Sequence, residues 1–160
     1  MSTASPVHEA LLTQPGQGRR IHVLGNDVII RISSRESGGA FTVFEGHIDP
    51  QQGPPLHRHS QHDEWWYIVE GEFRFEVDGR EVHAHPGDTV FAPRGSVHTF
   101  QNVGAGPGRT LTTTVPGGID EFFAEVEKVA PRGTPPDRAR LLDVGRKYNQ
   151  ELLGPPLGRR

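Results

Sequence analysis

GPPLHRHSQHDEWWYIVEG, residues 53–71, is the stretch on which the reading of this chain turns. It holds three potential metal ligands: His57 and His59 two apart, then Glu64 five further on. Side chains of a strand alternate between its two faces, so residues at i and i+2 point the same way. An extended backbone over 55–60 therefore turns both imidazoles into one cavity. Pro54 and Pro55 favour that backbone, because proline fixes its own φ and biases the preceding residue away from helix. The turn-prone SQHD then returns Glu64 from the neighbouring strand towards the same point. A fourth ligand lies downstream at His98, in PGDTVFAPRGSVHTFQN.

The two stretches resemble, position by position, the paired motifs of the cupin superfamily. Gly53, His57-x-His59, Glu64 and Gly71 follow the first motif, with the first glycine a couple of residues closer to His57 than is usual. Gly87, Pro93-x-Gly95, His98 and Asn102 follow the second. The resemblance covers roughly residues 40–115. It implies an all-β fold, the cupin double-stranded β-helix or jelly-roll barrel, here with one or two C-terminal α-helices.

Composition is compatible with this and excludes several other classes. The chain has 160 residues, enough for one domain that buries about two-thirds of its unfolded surface. A formal net charge of −3 gives no footprint for nucleic acid or an anionic membrane. The absence of cysteine rules out disulfides, thiolate metal sites and a cysteine nucleophile. No apolar run reaches the eighteen or so residues that cross a bilayer, and no signal peptide is visible, so a cytoplasmic location is expected. With 20 glycines and 14 prolines but 33% apolar residues, the chain is rich in turns, not in disorder.

Turn signals divide the chain into short strands. Residues 1–18 read as a flexible N-terminal arm. The barrel is expected over 19–116, with strands near 20–24, 27–33, 40–48, 55–60, 64–70, 72–77, 80–84, 88–93, 97–103 and 109–115, and metal motifs at 53–71 and 87–102. Phe73, Phe75 and Val77 alternating with Arg74 and Glu76 give the clearest period of two. Regular spacing of such strands indicates a sandwich or barrel, here of the jelly-roll type that the resemblance implies. Residues 117–155 are expected as C-terminal helices packed on the barrel. Ile119, Phe122, Phe123, Val126 and Val129 follow helical spacing, and Thr134 with Asp137 reads as a capping box for a second helix running to about Leu153. GPPLGRR reads as a frayed tail.

Three imidazoles and a carboxylate suit one divalent transition metal ion: iron, manganese, nickel, cobalt, copper or zinc. The expected ligands are His57, His59, Glu64 and His98. His62 is an extra histidine beside the set, open to exchange with Glu64 or to a proton-shuttle role, and His83 and His85 read as surface residues. Strand parity with Glu64 and His98 turns Trp66, Ile68, Phe100 and Asn102 inward, and Phe75 and Phe91, with Phe73, are candidates to close a substrate pocket.

The same stretches look most like the small bacterial cupins grouped with quercetin dioxygenases, through Pro-Pro before the histidine pair, DEWWY, GDTVFAPRG and a C-terminal GGIDEFFAEV helix. That resemblance implies a metal-dependent dioxygenase acting on a flavonol or similar small aromatic enol, with Glu64 doubling as catalytic base. Three other functions stay open: a metal-assisted isomerase, cyclase or lyase of a sugar or polyketide; a decarboxylase or hydrolase; and a non-catalytic small-molecule binder. An isomerase needs a second acid/base residue, for which His62, Tyr67 and His47 are candidates. No nucleic-acid or membrane partner is expected. A homodimer is, formed through residues 20–33, because a jelly roll leaves strand edges to cover.

Overall fold

The computed structural model describes residues 9–159, so the first eight residues of the expected arm lie outside the described residues. Ten strands follow in order: β1 (Arg19–Val23), β2 (Asn26–Ile32), β3 (Thr42–Ile48), β4 (Pro55–His59), β5 (Asp63–Glu70), β6 (Phe73–Val77), β7 (Arg80–Ala84), β8 (Thr89–Ala92), β9 (Val97–Asn102) and β10 (Gly108–Val115). Helices α1 (Ile119–Val129) and α2 (Arg138–Lys147) come next, then strand β11 (Gln150–Pro156) and a 3-10 turn at Leu157–Arg159. The strands form two antiparallel sheets, β1-β2-β3-β10-β5-β8 and β11-β4-β9-β6-β7, as a jelly-roll barrel requires.

Each expected strand forms, with ends moved by one or two residues. The hairpin turns are set by residues that accept positive φ. Leu24 and Gly25 join β1 to β2, and Asp78 and Gly79 join β6 to β7. Along β5 the burial alternates: Glu64, Trp66 and Ile68 point inward and are buried, while Tyr67 and Val69 are exposed. The apolar outer face of DEWWYIVE thus does not come from double-sided burial. Between the sheets Trp66, Ile68, Phe73, Phe75, Ile48, Ala84 and Ala92 pack as the main core.

Three expectations are corrected. The described part of the arm is tied down: Thr13 Oγ1 donates to the Arg31 carbonyl, and the Arg31 guanidinium donates back to the carbonyls of Thr13 and Gln17. The second helix ends at Lys147, not near Leu153. Tyr148 caps it and Asn149 takes the left-handed conformation (φ 56°) that ends helices. Its N-cap is Asp137, whose carboxylate accepts from the backbone N–H groups of Ala139 and Arg140, so Thr134 takes no part in a capping box. Finally, residues 150–156 are not helix and tail. They form an edge strand antiparallel to β4, where Pro155 and Pro156 are tolerated because the outer side needs no donors, and Leu157 beyond it is buried.

Helix α1 carries the amphipathic face expected of it. Ile119 packs with Ile21, Val28, Ile30 and Phe44, and Val126 packs with Leu141 and Val144 of α2. Asp120 in its first turn accepts from Ser34 N–H, Ser34 Oγ and Thr42 Oγ1, which fastens the helix start to the six-stranded sheet.

Candidate metal centre

The β4–β9 pair brings the two motifs together, because His57 lies directly opposite His98 in register. His59 follows on β4 and Glu64 opens β5, so His57, His59, Glu64 and His98 converge with ligand atoms within 4.8 Å of one another. His59, Glu64 and His98 are all nearly inaccessible to solvent. The imidazole rings sit 4.4–5.0 Å apart between centroids. Beside the site, Arg94 of the second motif clamps Asp63 of the first: its backbone N–H, Nε and Nη2 all donate to that carboxylate, at 2.7–3.2 Å. These hydrogen bonds hold the Asp63 carboxyl down at about 2.

The hydrogen bonds around the histidines fix their tautomers. His57 Nδ1 donates to the Pro55 carbonyl at 2.7 Å, and His98 Nδ1 to the Ser96 carbonyl at 3.2 Å. Each bonds the residue two positions before it, which for His59 is His57. His59 Nδ1 instead donates to Gln150 Oε1 of β11. All three Nδ1 protons are thus committed, and the Nε2 atoms are left as lone pairs. His59 Nε2 and His98 Nε2 lie 2.9 and 3.2 Å from the same oxygen, Glu64 Oε2. Lone pair facing carboxylate at such distances is repulsive unless a proton or a cation lies between, and His59 Nε2 is a buried atom with no hydrogen-bond partner. A cation answers all of these groups at once, so the donor set fits a divalent transition metal.

The electrostatics agree with that fit. Burial, with His98 and His59 beside it, pushes His57 well below its ordinary value and keeps it a neutral ligand. Burial alone would raise Glu64, but positive charge on the His59–His98 side overcomes it and holds the carboxyl well below the usual carboxylate range, a place that a bound cation fills when both imidazoles are neutral.

A cavity of about 110 Å³ opens from the site. His57, His59 and Glu64 line it together with Trp66 and Phe100, as their strand parity predicts, and with Phe44, Phe122, Phe123 and Leu152. The other expected pocket residues lie elsewhere. Ile68 and Phe75 are fully buried in the core between the sheets. Phe91 points outward and is 57% exposed, because β8 pairs with β5 in a register that turns Ala92 inward instead. Asn102 is a staple: its Nδ2 donates to the carbonyls of Ile48 and Gly106, and its Oδ1 accepts from Gly104 N–H.

Among the remaining histidines, His62 is buried with its ring 6.2 Å from that of His59, outside the ligand set and outside the cavity lining. Burial, then His59, lowers its pKa. His83 and His85 pair with Glu81 and Asp88 on the surface. His47 pairs with Glu45 on the outer side of β3, and Tyr67 is exposed on the outer side of β5, so neither reaches the cavity. The residues that sequence reasoning missed are Gln150, Leu152, Phe44 and the α1 pair Phe122–Phe123. Phe122 and Phe123 were legible as apolar helix positions and Phe44 as a strand residue, but nothing local tells that these faces border the cavity.

Comparison with known proteins agrees with the fold. The cupin domain family matches residues 44–114, the greater part of the barrel, and the barrel has the cupin fold. Quercetin 2,3-dioxygenase of Bacillus subtilis is 28% identical over 112 residues, 69% of this chain and 32% of that protein. The tetracenomycin polyketide synthase protein TcmJ of Streptomyces glaucescens is 34% identical over 77 residues, 47% of this chain and 52% of that protein. The chain thus matches about a third to a half of the length of these relatives. In fold it is similar to KdgF from Halomonas sp., at a TM-score of 0.63 and 19% identity over 71% of this chain and 99% of that one. Among the described residues no helix is long and apolar enough to cross a membrane.

Proposed function

We propose that this protein is a metal-dependent dioxygenase acting on a small aromatic enol of the flavonol kind. The observation that carries the reading is the convergence of three Nε2 lone pairs and the Glu64 carboxylate at the inner end of an aromatic cavity. The likeness to quercetin 2,3-dioxygenase over 69% of the chain supports the same class.

His57, His59, Glu64 and His98 would hold iron, manganese, nickel, cobalt, copper or zinc. When bound, the metal supplies Lewis acidity towards a chelating enol and the means to activate dioxygen. The protein's own part is positional. Trp66, Phe100, Phe44 and Phe123 give flat apolar walls that exclude water and orient an aromatic ring edge-on to the ligand set. The volume, on the scale of a cavity that holds one benzene ring (about 150 Å³), admits one ring of the substrate. The rest lies in the mouth between α1 and the β1–β2 turn. Glu64, at the inner end of the cavity, is the carboxylate placed to take the enol proton as the substrate docks.

A single base suffices for this chemistry. An isomerase or cyclase needs a second, and two of its three candidates, His47 and Tyr67, face away from the cavity. The same reading takes the protein as a homodimer.

Elemental analysis of purified protein followed by oxygen-electrode traces with quercetin tests the proposal. Stoichiometric metal with quercetin-dependent oxygen uptake is the expected result. Metal without oxygen uptake, but with turnover of a polyketide or sugar, would replace the dioxygenase by an isomerase or cyclase. No metal after reconstitution would leave a binding barrel.

A further inference from the structure

Gln150 belongs to neither cupin motif. It opens β11, after both C-terminal helices, and sits directly opposite His59 in the β4–β11 register. The side chain is 5% exposed and borders the cavity. Its amide is oriented by a second bond, since Nε2 donates to the Tyr148 carbonyl at 3.3 Å. Oε1 is therefore the end turned to His59, and an amide oxygen can only accept. The proton must then reside on His59 Nδ1, which leaves Nε2 as the lone pair aimed at Glu64 and the other imidazoles.

We propose that Gln150 is a positioning residue that fixes His59 in its Nδ1–H tautomer, so that the C-terminal strand completes the metal centre. The other two histidines need no such help, because the backbone carbonyl two residues back serves each of them. At His59 the Nδ1 partner is instead a side chain from outside the motif. Among the described residues, Gln150 is the group that supplies an acceptor to His59 Nδ1. A ligand imidazole whose outer nitrogen loses its acceptor typically costs the site 10–100-fold in metal affinity (roughly). The proposal rests on reading the quartet as a metal centre, and the test keeps the two claims apart.

Long-range 1H–15N spectra of the metal-free protein report the tautomer of His59 directly, and chelator competition reports Zn²⁺ affinity. The wild type should show His59 as Nδ1–H. Gln150→Leu should move it towards Nε2–H and weaken Zn²⁺ binding by about 10–100-fold. Gln150→Glu, which keeps an acceptor at the same place, should recover most of both. A loss that came only from disturbing β11 would not be rescued in this way. The proposal is overturned if His59 is Nε2–H in the wild type, or if Gln150→Leu binds Zn²⁺ as tightly as the wild type. A wild type with the Nδ1–H tautomer but no affinity for Zn²⁺ would bring down the metal-centre reading, and the proposal with it.

Discussion

His59 and His98 point their Nε2 atoms at one carboxylate oxygen from two different strands, so either can be removed without cutting the chain of backbone pairing that builds the barrel. Truncating either to alanine should therefore cut metal retention by roughly 100-fold or more, at the upper end of what ligand-shell changes cost or beyond it. The far-ultraviolet circular dichroism should keep its native form. Elemental analysis of the two variants checks this, and unchanged metal content in both would sink the assignment. pH acts through the same residues. Burial holds His57 well below its ordinary 6.5, so below that pH the unfolded chain binds a proton that the folded one refuses. The stability His57 contributes is complete above pH 6.5 and declines as the pH falls from there towards the folded-state value. Metal affinity should hold over that range as far as His57 is concerned and fall only as the pH reaches the folded-state value, because the ligands must be neutral to bind. Thermal melts of metal-free protein from pH 7.5 to 5 should show the loss, and His57→Gln should flatten it. An equally steep slope in that variant would put the titration elsewhere.

Elements differ in how much of them could be read before the fold was seen. Strands β3 to β10 were legible because alternation and turn residues are local signals, and the ligand set was legible because i, i+2 on a strand fixes a face. Gly53 shows a subtler case. A Cβ there would run into the Phe100 carbonyl, so the motif glycine permits a close backbone approach that its spacing hints at but does not explain. What stayed illegible is β11. Nothing in YNQELL disfavours helix strongly enough to announce the stop at Asn149, and the strand exists because β4 offers it an edge far away in sequence. For the same reason Gln150 could not be found from the sequence. Gly145 in α2 reports this packing. Replacing glycine by alanine inside a helix ordinarily gains about 1 kcal/mol. Here an added Cβ would sit 2.6 Å from the Gln150 carbonyl oxygen, a backbone atom that cannot swing away. Gly145→Ala should therefore lower the melting temperature instead of raising it, and should weaken metal binding by displacing Gln150 from His59. A more stable variant with intact metal affinity would show that β11 is held less tightly than its contacts indicate.

At the scale of the whole molecule the question is which sheet edge meets a partner. Two sheets have four edge strands: β1 and β8 on one, β11 and β7 on the other. The sequence pointed to residues 20–33, but β2 is an interior strand and β1 is already covered. Helix α1 lies beside it, and Glu127 accepts the His22 backbone N–H at 2.8 Å. Strand β11 ends in two prolines, which donate nothing to a neighbouring chain. Strand β7 exposes Arg80, Glu81 and His83, the charged dressing that keeps edges apart. Among the described edge strands, β8 is the one with no covering helix, proline or charged side chain. It is four residues long, and Phe91 at 57% exposure stands opposite Trp65 on the outer face of β5, which further along carries the exposed Tyr67 and Val69. A second copy meeting that face would bury all three exposed side chains, and a homodimer through β8 is the expected state at micromolar concentration. Phe91→Glu would place a charge at its centre and should yield monomers, with metal content unchanged because Phe91 lies on the opposite side of the sheet from the ligands. Sedimentation velocity on the two proteins decides it. A wild type that sediments as a compact monomer overturns the dimer, while a dimer that survives Phe91→Glu moves the interface back towards β1 and its helix.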